Sequence, residues 1–381
     1  MRILFVIDQL DNASNGTVMT ARRFADILRQ HGSEVRFIST GEEAEDKYVV
    51  RELYLPFFNG IIKKQGMMLA KPEKKVLREA IGWAEVVHFL MPFWLSFKGQ
   101  RMAKEMGVPC TAAFHVQPEN ISYNLGLGRI QLVNKLILKL FKRFYNNLSH
   151  IHCPSSFIES ELKKNGYSAK FHVISNGINE DFVYRKLPKP PSDTQKFIIV
   201  MMGRLTKEKR QDVLIDAVRK SKHYENIQLV LTGQGHMQKK YEKLGSKLKN
   251  PVIIKFFGRQ ELKDLLAISD LYVHTSDIEI ECISCMEAFS SGLVPVISDS
   301  RKSATSQFAL DERSLFKSGS SDDLARKIDY WLDNEKERRE MEIKYAEYGR
   351  QFRIEPCVKR FEDMLREAVL LEKNKHPGHA D

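Results

Sequence analysis

The amino-acid sequence predicts an α/β protein made of two doubly wound domains with a helical end. Three observations carry that reading. Short apolar runs alternate with helix-length amphipathic segments along the chain, the signature of βαβ units and a parallel sheet. One proline-rich stretch, Arg185–Lys196, interrupts the alternation, and a second series restarts behind it. The length of 381 residues suits two domains.

The first series opens with Ile3–Ile7, five consecutive apolar residues ahead of Asp8. That run is too short for a signal peptide and reads as a buried first strand. An amphipathic segment, Thr17–His31, follows, and Gly32 stops it. Further strands are expected at Glu34–Ser39, Glu85–Leu90, Cys110–His115, His150–Pro154 and Phe171–Ser175. Arg185–Lys196 holds three prolines and reads as an extended linker. The second series has strands at Phe197–Met202, Gln228–Thr232, Val252–Phe257, Leu271–His274 and Val294–Ser298. Helical pattern then runs from Asp322 to about Glu372, and the final residues read as a frayed tail. The boundaries that follow are 1–184, a linker at 185–196, 197–350, and a C-terminal helix in 351–381 with the option of crossing back to the first domain. In open sheets of this kind ligands sit at the carboxyl ends of the strands, here expected in a cleft shared by the two domains.

Composition narrows the class. With 43% hydrophobic and 29% charged residues, the chain is not disordered as its main state. No run of 18 apolar residues exists, so no spanning helix is expected. Five cysteines without regular spacing fit a reducing compartment, and a cytoplasmic location is expected. Lysine and arginine total 60 against 49 acidic residues, a net +11. Residues 51–150 alone hold 15 Lys or Arg against 6 Asp or Glu. Such a field attracts phosphorylated ligands, anionic lipid or nucleic acid, or is simply a solvated face. No helix-turn-helix and no aromatic basic platform is visible, so nucleic acid is not an expected partner.

Chemistry concentrates at strand ends. In Met202-Gly203-Arg204-Leu205-Thr206-Lys207-Glu208-Lys209, a buried strand ends in Gly203, and Arg204 and Lys209 precede a helical pattern at Asp212–Lys220. Glycine lets the backbone approach a diphosphate, the helix end offers N–H groups, and Arg204 can grip phosphate oxygens. A plain βα turn with solvated charges stays open. Gly233 in TGQG and the Asn176-Gly177 pair end two other strands. Gly16 and Thr17 open the first helix, where a phosphate or an acceptor hydroxyl could bind. His115 closes a strand and could donate to a substrate oxygen or move a proton, or be structural.

The stretch Asp277–Pro295 is the most informative. Glu279 and Glu287 have seven residues between them, and Glu287 is expected near the start of a small-residue helix, suited to holding a ribose diol. Glu279 in the preceding loop would reach a second polyol. Asp277, Glu279 and Glu281 alternate, but no further hard ligands accompany them and no metal is expected. Cys282 and Cys285 form a lone CxxC, which reads as burial rather than zinc.

Taken together, GRLTKEK, TGQG, FFGR and the E-x7-E before AFSSGLVPVIS resemble the GT-B glycosyltransferases of family 4, and ILFVIDQLDNASNGT and SNGI fit the same family. The resemblance covers nearly the whole chain. It implies a retaining transfer from a nucleotide sugar without an obligatory metal or cofactor, an acceptor-binding first domain and a donor-binding second one. By resemblance, Arg204 and Lys209 hold the donor diphosphate beside Gly203 and Gly233. Glu287 binds the ribose, Glu279 the transferred sugar, and Ile283 and Ser284 complete the pocket. Arg259 of FFGR lies near the base, with His115, Gly16, Thr17 and Asn176 by the sugar and acceptor. Two departures stand out: the family often has Gly-Phe-Gly after the first Glu, where this chain has Ile280-Glu281-Cys282, and a Gly after the Lys, where it has Arg210.

FHVQPENISYN and EIECISCMEAF are further similar to bacterial diacylglycerol glucosyltransferases of this family. That likeness implies UDP-glucose as donor, a lipid acceptor such as diacylglycerol or its glucoside, and a peripheral place on the inner face of the cell membrane. Phe57, Phe58, Lys63 and Lys64, together with Lys135, Lys139 and Arg143 at helical spacing, read as contacts to an anionic surface, or as an ordinary basic outer face. A capsule, exopolysaccharide or lipopolysaccharide acceptor, and a sugar-nucleotide epimerase, are the competing readings.

Overall fold

The computed structural model describes residues 1–11, 16–56, 59–60, 68–116 and 131–375, with the side chains of 131–135 excepted. The chain divides into two units, Met1–Asn176 with Glu355–Asp381, and Gly177–Ile354. Each is built on one parallel sheet.

The first unit holds seven strands: β1 (Arg2–Gln9), β2 (Glu34–Thr40), β3 (Lys47–Val49), β4 (Val86–Phe89), β5 (Cys110–Ala113), β6 (His150–Cys153) and β7 (Lys170–Val173). Their order is β3-β2-β1-β4-β5-β6-β7. β1 pairs in parallel with β2 through Ile3–Val35 and with β4 through Ile3–Val86. Flanked on both sides, it is buried from Ile3 to Asp8, which is why it reads as an unbroken apolar run. Helix α1 (Gly16–Gln30) buries Val18, Ala21, Phe24, Ala25 and Leu28, one stripe at helical spacing. The unit continues with α2 (Lys74–Trp83), α3 (Trp94–Glu105), α4 (Gln131–Tyr145) and α5 (Ser156–Lys164). Ser155 caps α5 by accepting the Ile158 N–H at 3.3 Å. The edge strand β3 is three half-buried residues, too short to leave a periodicity in sequence.

The second unit has β8 (Phe197–Met202), β9 (Ile227–Thr232), β10 (Ile253–Lys255), β11 (Leu271–His274), β12 (Pro295–Ser298) and β13 (Leu315–Phe316). Their order is β10-β9-β8-β11-β12-β13. Its helices are α6 (Gln211–Lys220), α7 (Gln238–Gly245), α8 (Arg259–Ile268), α9 (Ile283–Ser290), α10 (Ser321–Asp333) and α11 (Glu335–Gly349). The proline-rich stretch runs along this unit. Leu187 N–H donates to Ala267 at 3.0 Å, and Lys189 Nζ meets Asp270 Oδ2 at 2.7 Å.

The last helix, α12 (Ile354–Lys375), belongs to the first unit from Glu355 onward. Phe361 packs edge-on against His88 at 4.8 Å and Phe5 at 6.0 Å, and His31 Nε2 lies 2.7 Å from Glu355. Among the described residues, no helix is long and apolar enough to cross a membrane. In both sheets the strand order reverses at the first strand of the series, at β1/β4 and at β8/β11. Such a switch point opens a crevice at the carboxyl ends, where a ligand fits.

Candidate active site

At the β8/β11 switch point two loops meet. β8 ends at Met202, and Gly203 (φ 147°) turns the chain beside Gly233 (φ 142°), which follows β9. A Cβ on Gly233 would lie 2.1 Å from the Gly203 carbonyl oxygen, so only glycine fits there. Beyond Arg204 the chain makes a 3-10 turn at Lys207–Lys209 and enters α6 through Arg210, at φ 53°. The loop after β11 is tied to this turn. Thr275 Oγ1 donates to the carbonyls of Lys209 at 2.8 Å and Arg210 at 2.9 Å, and Asp277 N–H to Glu208 at 2.9 Å.

These ties bring Lys209 Nζ into a salt bridge with Glu279 Oε1. His274, the last residue of β11 and fully buried, places Nε2 2.8 Å from the same oxygen. The Lys209 and Glu279 side chains are 14% and 12% exposed, so the pair is strong yet open at one side. Burial alone would neutralise Glu279, but the Lys209 charge and the His274 hydrogen bond hold it well below the usual carboxylate range. Burial likewise opposes charge on Lys209, and Glu279 outweighs it. Burial also opposes protonation of His274, whose pKa is nevertheless pushed up to about 9 by Cys282 and Glu279. The crevice thus holds a fixed lysine cation beside a fixed carboxylate.

Cys282 sits 3.4 Å from His274 Nε2 and 3.4 Å from Ser284 Oγ, at φ 82°. Burial pushes its thiol up, but hydrogen bonding from Cys285 and the His274 charge prevail and hold it well below the ordinary value. Both cysteines are buried and free. Ile283 and Ser284 form the first turn of α9, which carries no side-chain cap. Glu287 is not at that terminus, as its sequence position suggested. Two residues after Cys282 the helix is already under way, so Glu287 lies a full turn in, half-buried. Arg204 extends outward with a 69% exposed side chain, 3.9 Å from Glu208. Arg259 opens α8 and bonds Asp181 at 2.7 Å. Asp277 turns away from Glu279 toward Arg210, at 3.3 Å, so the alternating carboxylates do not converge.

Among the described residues, two trios have metal-ligating atoms within 4.8 Å of one another: His274, Glu279 and Cys282, and His150, His172 and Glu367. In the first, Lys209 already occupies Glu279.

In the first unit, Gly16 and Thr17 open α1, and a Cβ on Gly16 would meet nothing within 4 Å among the described residues. His115 lies two residues past the end of β5 and is buried against His152 at 5.4 Å. Among the described residues its Nε2 has no hydrogen-bond partner, and burial, then His152, push its pKa down to about 3. A neutral ring with one unsatisfied nitrogen is a ready hydrogen-bond partner for a substrate oxygen. Asn176 is buried and its carbonyl accepts from Arg23 at 3.2 Å. Phe57, Phe58, Lys63 and Lys64 lie outside the described residues, as does the Lys135 side chain. Lys139 and Arg143 are exposed on α4.

Two site residues escaped the sequence reading. His274 ends a buried strand and looks like core, and Asp8 looks like the end of an apolar run. Asp8 stands at the carboxyl end of β1, where Oδ1 accepts the Ala70 N–H at 2.9 Å and, among the described residues, Oδ2 has no partner. Burial pushes its pKa up to about 7 against the Ala70 hydrogen bond. Polar residues capping strands at a switch point are the signal for both.

Comparison with known proteins finds two family matches. Residues 185–351 match the family described as glycosyl transferases group 1, and residues 14–182 match glycosyltransferase family 4. A GDP-mannose-dependent alpha-mannosyltransferase of Mycolicibacterium smegmatis is 25% identical over 309 residues, 78% of this chain and 79% of that one. The alpha-monoglucosyldiacylglycerol synthase of Streptococcus pneumoniae is 21% identical over 317 residues, 78% of this chain and 70% of that one. Among solved structures, sucrose-phosphate synthase from Thermosynechococcus elongatus superposes with a TM-score of 0.78 at 16% identity, over 97% of this chain and all of that one.

Proposed function

The chain belongs to the family 4 glycosyltransferases of the GT-B fold, nucleotide-sugar-dependent retaining enzymes, and from that premise we propose that it moves glucose from UDP-glucose to a membrane lipid acceptor, diacylglycerol or its monoglucoside. The observation that carries the donor half of this reading is the Lys209–Glu279–His274 cluster at the β8/β11 switch point. The lipid acceptor draws support from the S. pneumoniae relative and from the basic balance of residues 51–150.

In this reading the bond between the sugar's anomeric carbon and the diphosphate oxygen breaks, and the negative charge that develops on that oxygen is met by Lys209 and Arg204. Lys209 is effective because its partner Glu279 fixes it before the donor arrives, so little reorganisation is required. Glu279, kept ionised, accepts hydrogen bonds from the hydroxyls of the transferred glucose. Glu287 takes the ribose diol, and the first turn of α9 at Ile283 and Ser284 offers its N–H groups. The acceptor oxygen bonds the anomeric carbon on the face the phosphate leaves, and its proton passes to the departing phosphate. His115, neutral, hydrogen-bonds the sugar without itself carrying charge.

The test is a product assay with UDP-glucose or GDP-mannose and vesicles carrying diacylglycerol or its monoglucoside. A glucolipid detected by mass spectrometry from UDP-glucose alone supports the reading. Transfer only from GDP-mannose, or only to a water-soluble glycan, overturns the assigned donor or acceptor. A changed nucleotide sugar formed without any acceptor would identify an epimerase.

A further inference from the structure

The first unit holds a groove of about 1260 Å³ at the junction of α3, α4 and the end of α12. It exceeds the roughly 300–1,000 Å³ of a small-molecule pocket. Its walls are apolar: Leu53, Leu55, Leu69, Phe97, Ile137 and Phe141. At its mouth Trp94 is 55% exposed and Leu140 52% exposed, and Leu136, one turn before Leu140 on α4, is exposed too. Leu370 and Leu371 are exposed beside Glu372, which also lines the groove. An apolar surface gathered in this way marks an interaction site rather than scattered surface leucines.

The charges around it select the partner. Arg101 and Lys375 are paired, with Glu105 at 3.0 Å and Glu372 at 3.0 Å. Lys98, Lys104 and Arg143 also line the groove, and among the described residues none of them has a carboxylate partner. Lys98 leans instead over the Trp94 ring, 5.4 Å from its centre. On α4, exposed Lys139 and Arg143 interleave with exposed Leu136 and Leu140, so apolar and cationic groups share one outward side. An apolar peptide, or a second copy of this chain with its net charge of +11, would leave those cations unmatched. A bilayer interface presents anionic headgroups over acyl chains at the depth this arrangement requires.

We propose that this groove is the membrane-docking site of the protein, with Trp94, Leu136 and Leu140 entering the acyl region of an anionic bilayer and Lys98, Lys104 and Arg143 binding its headgroups. The inference rests on the membrane-lipid reading of the acceptor and adds where the bilayer is met. It keeps Arg143 from the residues read in the sequence and adds Trp94, Lys98 and Lys104 of α3 with Leu136 and Leu140 of α4. Three such cations predict a preference for anionic over neutral vesicles on the order of 100-fold.

The test uses the full chain and vesicles of phosphatidylcholine, with and without phosphatidylglycerol, carrying brominated acyl chains. Of the three tryptophans, Trp331 is fully buried and Trp83 is stacked on Arg36, so quenching by bromine reports Trp94. The expected result is quenching on phosphatidylglycerol vesicles that disappears in Trp94→Phe. Combined Lys98→Ser, Lys104→Ser and Arg143→Ser should weaken binding at least tenfold with circular dichroism unchanged. Equal quenching in Trp94→Phe, equal binding to neutral vesicles, or a dimer that shields Trp94 without vesicles would overturn the proposal. Transfer to an acceptor dispersed in detergent reads the chemistry separately. Retained transfer with no vesicle binding defeats the groove alone, whereas groove-dependent binding without any transfer defeats the lipid-acceptor reading alone.

Discussion

Lys209 and Glu279, seventy residues apart in sequence, form one partly buried ion pair at the mouth of the second sheet. The pair joins the loop after β8 to the loop after β11, and Thr275 fastens the backbone behind it. A lysine fixed in this way can meet a diphosphate charge without first being ordered, which is where its catalytic value would lie.

Lys209→Ala should therefore lower kcat by roughly 100- to 1,000-fold, as loss of one preorganised charge stabiliser does. Glu279→Gln should cost less in charge stabilisation but loosen Lys209 and weaken the grip on the sugar. Steady-state kinetics on both variants, with circular dichroism as a control, check the pair. Equal activity in Lys209→Ala would dissolve the assignment.

Arg210 and Cys282 are the two non-glycine residues at positive φ among the described residues, and both stand where the resembled family often carries glycine. The backbone there keeps the glycine conformation although the side chain has changed. Arg210 is compensated by contacts to Asp212 and Asp277, Cys282 by His274 and Ser284. Cys282→Gly should leave the melting temperature close to that of the parent, because relief of strain offsets the lost contacts. Cys282→Val should destabilise by about 1–2 kcal/mol, the cost of a branched residue in the left-handed region. Thermal denaturation of the two variants separates them.

Gly233→Ala tests the close approach of the two turns. With its Cβ only 2.1 Å from the Gly203 carbonyl, the backbone has to move. A loss of at least ~2 kcal/mol, or failure of the second unit to fold, is expected. A melting curve matching the parent would show that the turns are not packed as described.

Asp8 gives a pH prediction. Its pKa is about 7 in the fold against 3.8 for the ordinary group, so the folded chain holds a proton that the unfolded chain gives up. The contribution of Asp8 to stability is greatest below the unfolded value and falls as pH rises toward 7, then levels off. Asp8→Asn should match the parent near pH 4 and exceed it at pH 8 by roughly 1–3 kcal/mol. Chemical denaturation at the two pH values checks this; a deficit at pH 8 would contradict it.

How far the sequence carried these conclusions differs by element. β8 and β11 are read to the residue because each is buried on both faces and bounded by a glycine or a polar turn. β3 and β13 were missed, being three and two residues long, with pairing imposed by the neighbouring strand rather than by their own pattern. Lys209, Glu279 and Glu287 were legible as a motif, but the contact between the first two depends on strand order, which no local spacing encodes. The start of α9 was misjudged because Cys282 at φ 82° supplies a turn that a non-glycine residue does not announce. His274 and Asp8 were hidden by the apolar strands they terminate. The groove beside Trp94 was invisible for a related reason: it is assembled from α3, α4 and the end of α12, far apart in the chain.

The most direct measurement is calorimetric titration of UDP and GDP into the parent chain and into Glu287→Ala and Lys209→Ala. The parent should bind UDP more tightly than GDP. Each substitution should weaken UDP binding by at least about tenfold, the loss of one charge-assisted contact. Unaltered UDP affinity in both variants would contradict a donor site at the β8/β11 switch point.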